Sequence, residues 1–430
     1  MTSGETLAEK VIGAHAHQRV RPGQIVVADV DLALAQDGTG PLTIQQMREL
    51  GWGELKVPQA LFFIDHAAPS PRAELSNAQA TIRAFCEESG ATLSEIEMGI
   101  SHQRVAESHA KPGQIVIGAD SHTCTAGALG AFATGMGSTD VAVGMASGKT
   151  WLRVPETVRI EVTDPVTDGG GDAWPGPFGT GVMAKDLMLT VIGALGADGA
   201  TYEALEFGGA ALELLPMHGR LTLANMAVEA GAKAGMMASD EVTRAFLRER
   251  GREADWRPLA PDPGAAYERV LSFAARDVVP MMAAPHSVDN AHPAAELVGT
   301  RIDQVFIGTC TNGRLEDLRA AAAVLRGRRR APHTRLIITP ASRAVQRAAV
   351  TEGLLEVFID AGAIFTTPGC GPCVGVHAGV PADGEVCVTT QNRNFQGRMG
   401  NPQASIYLAS PVTAAACAVA GAIVDPRELL

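Results

Sequence analysis

The chain is 430 residues long, enough for two or three domains at roughly 150 residues each, and 46% of it is hydrophobic while only 4% is aromatic. Its core must be filled mainly by Ala, Val, Leu and Ile, as suits helices packed on parallel strands. A formal charge of -12 at pH 7 excludes a general electrostatic attraction to nucleic acid or anionic lipid, so an anionic ligand would have to be held by local arginines.

In chain order, short apolar runs are each followed by Gly or polar residues and then an Ala-rich helical pattern, the rhythm of parallel βα units. The N-terminal stretch has no basic start followed by an apolar run, so a cytoplasmic protein is expected. His15 and His17 within it are read as structural. The first βα strand is read from QIVVADVD at 24–31.

Ile64-Asp65-His66, Ser101-His102-Gln103 and the end of QIVIGADSHT, Asp120-Ser121-His122, follow. A carboxylate beside an imidazole fixes its tautomer and raises its basicity, which suits proton delivery to a leaving hydroxyl. A satisfied structural histidine is the plainer alternative. The glycines from Gly127 to Gly137 match neither a Walker nor a full dinucleotide pattern.

Residues 167–181, rich in Gly and Pro, read as a loop near a domain boundary, and 257–265 as another junction. This gives three units, 1–155, 156–275 and 276–430. Within the second, Asn225 and Glu229 lie four apart, a spacing that places both on one helical face. A solvated polar stripe is the alternative there.

Seven cysteines, an odd number, do not read as a disulfide framework. Cys310 follows the strand-like run QVFIG, and Cys370 and Cys373 form a C-x-x-C bracketed by Gly and Pro, after the strand-like RLIITPAS at 335–342. Three thiolates from two loops can hold three irons of a four-iron, four-sulfur (4Fe-4S) cluster and leave the fourth free as a Lewis acid. A thiol-disulfide oxidoreductase using Cys370 and Cys373, and a structural zinc with His377 as fourth ligand, are the alternatives. Cys86, Cys124, Cys387 and Cys417 sit in apolar surroundings and read as buried fillers. Near the C-terminus, Asn392, Arg393 and Arg398 lie in QNRNFQGRMG, where two guanidinium groups make a carboxylate clamp or a surface ion-pair network. The longest apolar stretch, Val412 to Val424, is too short to span a bilayer.

Taken together, Asp65-His66, DSHT at 120–123, NMAVE at 225–229, CTNGR at 310–314, CGPC at 370–373 and NRNFQGR at 392–398 resemble the aconitase superfamily, in order and over nearly the whole chain. The match is closest to the compact large subunits of its two-subunit dehydratases. The resemblance implies an α/β fold of three α/β/α domains, with mainly parallel sheets around a central cluster held by Cys310, Cys370 and Cys373. It implies that Asn225 and Asn392 stand beside the cluster and that Ser121, Arg393 and Arg398 bind a hydroxy-carboxylate substrate. It pairs Asp65 with His66, Asp120 with His102 and Glu229 with His122 as a proton relay. In the family, the base that removes the carbon-bound proton is a serine on a separate swivelling domain, so a small subunit is the expected partner, with no nucleic acid and no membrane. Two departures stand out: Pro41 replaces a glutamine that meets substrate in true aconitases, and the loop at 167–181 is long for a compact relative.

Overall fold

The computed structural model describes residues 4–51, 54–167 and 176–430. Three sheets form its frame. The first has strands in the order 92–94, 59–63, 32–36, 115–118 and 132–135, all parallel. The second, also parallel, runs 234–237, 204–208, 157–163 and 269–274. In the third, the parallel strands 405–409, 386–389, 304–307, 335–338 and 364–365 are extended by the antiparallel strands 281–283 and 291–293.

The central strands Leu32–Gln36, Ile115–Gly118 and Gln304–Ile307 are buried at every position. Strands covered on both faces must be apolar on both, which is why these segments read as unbroken runs. The three layers also share their cores. Val158, Ile160 and Leu205 of the second sheet pack in one cluster with Ala283, Ile406 and Leu408 of the third. Ala204, Ala234 and Met236 join the core of the first. Gly127 shows how close the approach is, because a Cβ there would lie 1.9 Å from the carbonyl oxygen of Gly235. The glycine is needed for packing between layers, and no anion loop is required to explain it.

One expected strand belongs elsewhere. Ile25–Asp29 pairs antiparallel with Lys149–Arg153 in a separate two-stranded ribbon, and the parallel strand begins only at Leu32. The residues carry the reason. Ile25 is 73% and Val27 60% exposed, while Val26 and Ala28 between them are buried. That is the alternation of a strand with one face in water, which antiparallel pairing tolerates and a covered parallel sheet does not. Of the Gly-rich segment 167–181, residues 168–175 lie outside the described residues. Among the described residues, no helix is long and apolar enough to cross a membrane.

Candidate active site

The carboxyl edges of the first and third sheets supply most of the candidate residues. In the first sheet, Asp37 follows the strand ending at Gln36, Asp65 and His66 follow Phe63, and Asp120 to His122 follow Gly118. In the third, Cys310 follows Ile307, Cys370 follows Phe365, and Asn392 and Arg393 follow Thr389. Side chains beyond strand ends converge in this way because the strand order reverses between 32–36 and 115–118 and between 386–389 and 304–307, so that neighbouring loops part and open a crevice there. The second layer contributes Asn225 from the helix Met217–Met226 and Glu229 from the 3-10 turn Ala227–Ala230. The helix tightens between these two, yet both reach the same site.

Cys310, Cys370 and Cys373 are buried in one cluster with Ile100, Phe306, Ile337 and Ala341. Cys310 sits in a single helical turn entered through Thr309, a β-branched residue held at φ 76°. A left-handed backbone at such a residue costs on the order of 1 kcal/mol and persists where the surroundings impose it. Cys370 precedes and Cys373 lies within another single turn, Gly371–Val374, which ends at Gly375. Gly375 has φ 69° and packs so tightly on Met399 and Gly400 that a Cβ would fall 2.1 Å from the Gly400 nitrogen. The C-x-x-C turn is thereby locked onto the arginine segment.

Hydrogen-bond donors surround the sulfurs. Asn225 Nδ2 donates to Cys310 Sγ at 3.3 Å and Asn392 Nδ2 at 3.6 Å, while an Arg398 guanidinium nitrogen donates to Cys373 Sγ at 3.1 Å. Thr311 Oγ1 donates to Asn225 Oδ1 and accepts from Asn392 Nδ2, which fixes both amides. Burial pushes the Cys310 thiol up to about 12. The hydrogen bond from Cys370 holds Cys373 well below the usual thiol range, against burial and with help from Arg398. Cys124, expected as a filler, is buried at the margin of this group and donates to the Asn225 carbonyl at 3.4 Å.

Two alternatives meet specific obstacles here. His377 Nε2 lies 3.1 Å from the carbonyl oxygen of His66, and among the described residues His377 joins no group of three or more ligand side chains close enough to share one metal ion. Both cysteines of the C-x-x-C are buried, and no helix follows them, whereas an exchange cysteine needs access and a helix N-terminus to lower its pKa.

Three imidazoles gather around Asp120. His102 Nε2 lies 3.0 Å from Asp120 Oδ1, His122 Nδ1 3.5 Å from the same oxygen, and His66 Nε2 3.6 Å from Oδ2. Each has its own geometry. His66 Nδ1 is 2.7 Å from Asp65 Oδ1, and His122 Nε2 is 2.8 Å from Glu229 Oε1. Burial opposes charge on the His66 ring, but Asp65, Asp120 and Asp37 outweigh it and raise the ring to about 10. His122 is raised as well, with Asp120 and Glu229 prevailing over burial. Burial also opposes ionisation of Asp120, yet His102, His122 and His66 hold it well below the usual carboxylate range. The pairing thus favours the protonated ring of His66 and the charged carboxylate of Asp120. Ser121 is half-buried beside these groups.

The arginines are engaged rather than free. Arg393 Nε donates to both oxygens of Glu229 at 2.9 Å, and Arg398, besides its bond to sulfur, lies over the ring of Phe395 at 5.8 Å. Sequence reasoning missed several supporting residues. Asp37 accepts the backbone N–H groups of Asp65, His66 and Ala67 and so holds the loop that carries the imidazole. Gln36 donates to Asp120 Oδ2 at 3.3 Å. Arg314 is buried and donates to the carbonyls of Cys310 and Thr311, at 2.6 and 2.5 Å, and to Gln103 at 3.0 Å. An arginine inside CTNGR, next to a candidate ligand, was the available signal.

Buried sulfurs with donors aimed at them, beside carboxylate-paired imidazoles and two guanidinium groups, define the class of protein. The chain belongs to the aconitase family (aconitate hydratase), whose sequence model matches residues 9–301 and 291–421. Among its relatives, the 3-isopropylmalate dehydratase large subunit of Elusimicrobium minutum is 57% identical over 427 residues, covering 99% of each chain. Two others are 3-isopropylmalate dehydratase large subunit 1 of Thermotoga maritima, 53% identical, and large subunit 2 of Archaeoglobus fulgidus, 52% identical. Each spans 99% of this chain and 100% of its own length.

Proposed function

We propose that the chain is the large subunit of a 3-isopropylmalate dehydratase, a hydro-lyase that isomerises a 2-hydroxy acid by removing water and adding it back on the neighbouring carbon. The observation that carries this reading is the meeting of three buried cysteines with the imidazoles grouped around Asp120. The residues fit a thiolate-held 4Fe-4S cluster. Amide and guanidinium donors face the sulfurs, and Asn392 Oδ1 and Arg398 Nε stay buried with no hydrogen-bond partner among the described residues. Cys310, Cys370 and Cys373 would be its ligands, and when bound it would supply one iron free of protein as a Lewis acid for the substrate hydroxyl.

The chain's own groups do the remaining work. His66, held protonated by Asp65, serves as an acid toward a departing hydroxyl, and His102 and His122 exchange protons with it through Asp120. Arg393 and Arg398 are placed to hold substrate carboxylates, with Glu229 keeping Arg393 extended until substrate arrives. Ser121 offers a further hydroxyl to the substrate. The carbon-bound proton is assigned to a serine on a small swivel-domain partner, because the relatives are named large subunits and the family resemblance places that base on a separate domain. The complex acts in the cytoplasm, without membrane or nucleic acid.

Homocitrate, citrate, citramalate, maleate and dimethylmalate chemistry belongs to the same reaction class. The test is anaerobic reconstitution with iron and sulfide, addition of the small partner, and a screen of isopropylmalate, homocitrate, citrate and citramalate. Turnover of isopropylmalate above the others supports the reading. No turnover of any of them would end it.

A further inference from the structure

Lys185 is 0% exposed, in the first turn of the helix Ala184–Leu195. Its ammonium donates to the carbonyl of Thr390 at 2.5 Å and to that of Gln391. Among the described residues, no carboxylate oxygen lies within the 4.0 Å of an ion pair. Its neighbour Asp186 points elsewhere, accepting the N–H groups of Met183 and Met281. Burying an ammonium away from a counter-ion costs several kcal/mol, so a fold keeps such a group only where something else balances it.

The surroundings show what does. The two carbonyls immediately precede Asn392 and Arg393, the residues that meet Cys310 and Glu229. The hydroxyl of Thr390 accepts from the Gly308 N–H and donates to the Gly308 carbonyl, two residues before Cys310. One buried cation therefore braces the turn that joins both halves of the site. Burial pulls it down to about 7, opposed by Asp186 and Asp317 and then by the sulfurs of Cys310 and Cys373.

We propose that Lys185 is a positioning residue of this site: it fixes Asn392 and Arg393 through the carbonyls of Thr390 and Gln391. The bracing does not rest on the cluster reading above, whereas its effect on substrate binding does. Lys185 touches neither sulfur nor substrate, so its effects reach the reaction through the turn.

The test compares wild type, Lys185→Met and Lys185→Arg. In the iron-free full chain, hydrogen exchange of the peptide spanning 386–398 reads the turn directly. Exchange about tenfold or more faster in Lys185→Met is expected. In the complex reconstituted with iron, sulfide and the small partner, Lys185→Met should raise KM about tenfold, because small displacements of a binding group weaken substrate positioning. Lys185→Arg keeps the charge but cannot seat its longer, planar head on the two carbonyls in the same way, so it should also exchange faster, by less than Lys185→Met. Should Lys185→Met not fold, Lys185→Arg carries the test alone. Wild-type exchange across 386–398 in the variants that fold would overturn the proposal. A wild-type complex that takes up no iron and sulfide refutes the cluster reading instead, and the iron-free exchange measurement then still decides the bracing role.

Discussion

Replacing Asp65 by Asn removes the carboxylate nearest to His66, 2.7 Å from its Nδ1, and leaves a neutral amide that bears no charge to balance the ring. In the wild type, burial is outweighed by Asp65, Asp120 and Asp37, and the ring rises from 6.5 to about 10. At 1.36 kcal/mol per unit this is about 5 kcal/mol of preference for the imidazolium in the folded chain. Losing one of three carboxylates, the closest, should cost about 3 kcal/mol, the usual cost of breaking a buried pair. The sign follows from the raised value. A group whose folded pKa exceeds its unfolded one contributes fully below the unfolded value, and that contribution fades as pH rises through the folded one. The gap in urea stability between wild type and Asp65→Asn, measured on the iron-free chain, should therefore be widest near about pH 6 and close toward about pH 10. A gap independent of pH over that window would refute the assignment of a charged His66.

Two further outcomes follow from the same geometry. Glu229→Gln removes the acceptor charge shared by His122 and Arg393, so kcat should fall about a hundredfold. If the protonated ring is required, the alkaline limb of the rate profile should also move to lower pH, because His122 loses one of the groups that raise it; a pH-rate series with both proteins checks this. Arg393→Lys keeps a positive charge but loses the planar fork, so KM should rise about tenfold while iron and sulfide content stay at the wild-type level.

Much of the site was legible because its chemistry depends on adjacency or on short spacing. Asp65-His66, Asp120-Ser121-His122 and Cys370-Gly-Pro-Cys373 each declare themselves within four residues, and the strand-like runs before them pointed to a sheet edge. Spacing alone made Asn225 and Glu229 readable only as neighbours; the family resemblance was what pointed them toward the cluster cysteines and His122, which come from other layers. The supports were hidden for a different reason. Asp37 and Lys185 draw their meaning from backbone groups of other loops, and Gln36 from the side chain of Asp120, contacts that no spacing rule reaches. Besides Arg314 inside CTNGR, Lys185-Asp186 at the head of an otherwise apolar helix was a visible trace, since ionised side chains are rarely buried without purpose. The run at 24–31 is apolar overall, but its alternation, with Ile25 and Val27 facing water, is what suits it to the antiparallel ribbon and not to the covered parallel sheet.

The central claim is that Cys310, Cys370 and Cys373 together hold an iron-sulfur cluster with one iron open to substrate. The most direct measurement is iron and acid-labile sulfide per chain after anaerobic reconstitution, with electron paramagnetic resonance before and after substrate is added. The account predicts about four irons and four sulfides in each chain, and a signal that changes with substrate. Incorporation that survives simultaneous replacement of all three cysteines by Ser, or a single tightly held zinc with no labile sulfide, would contradict it.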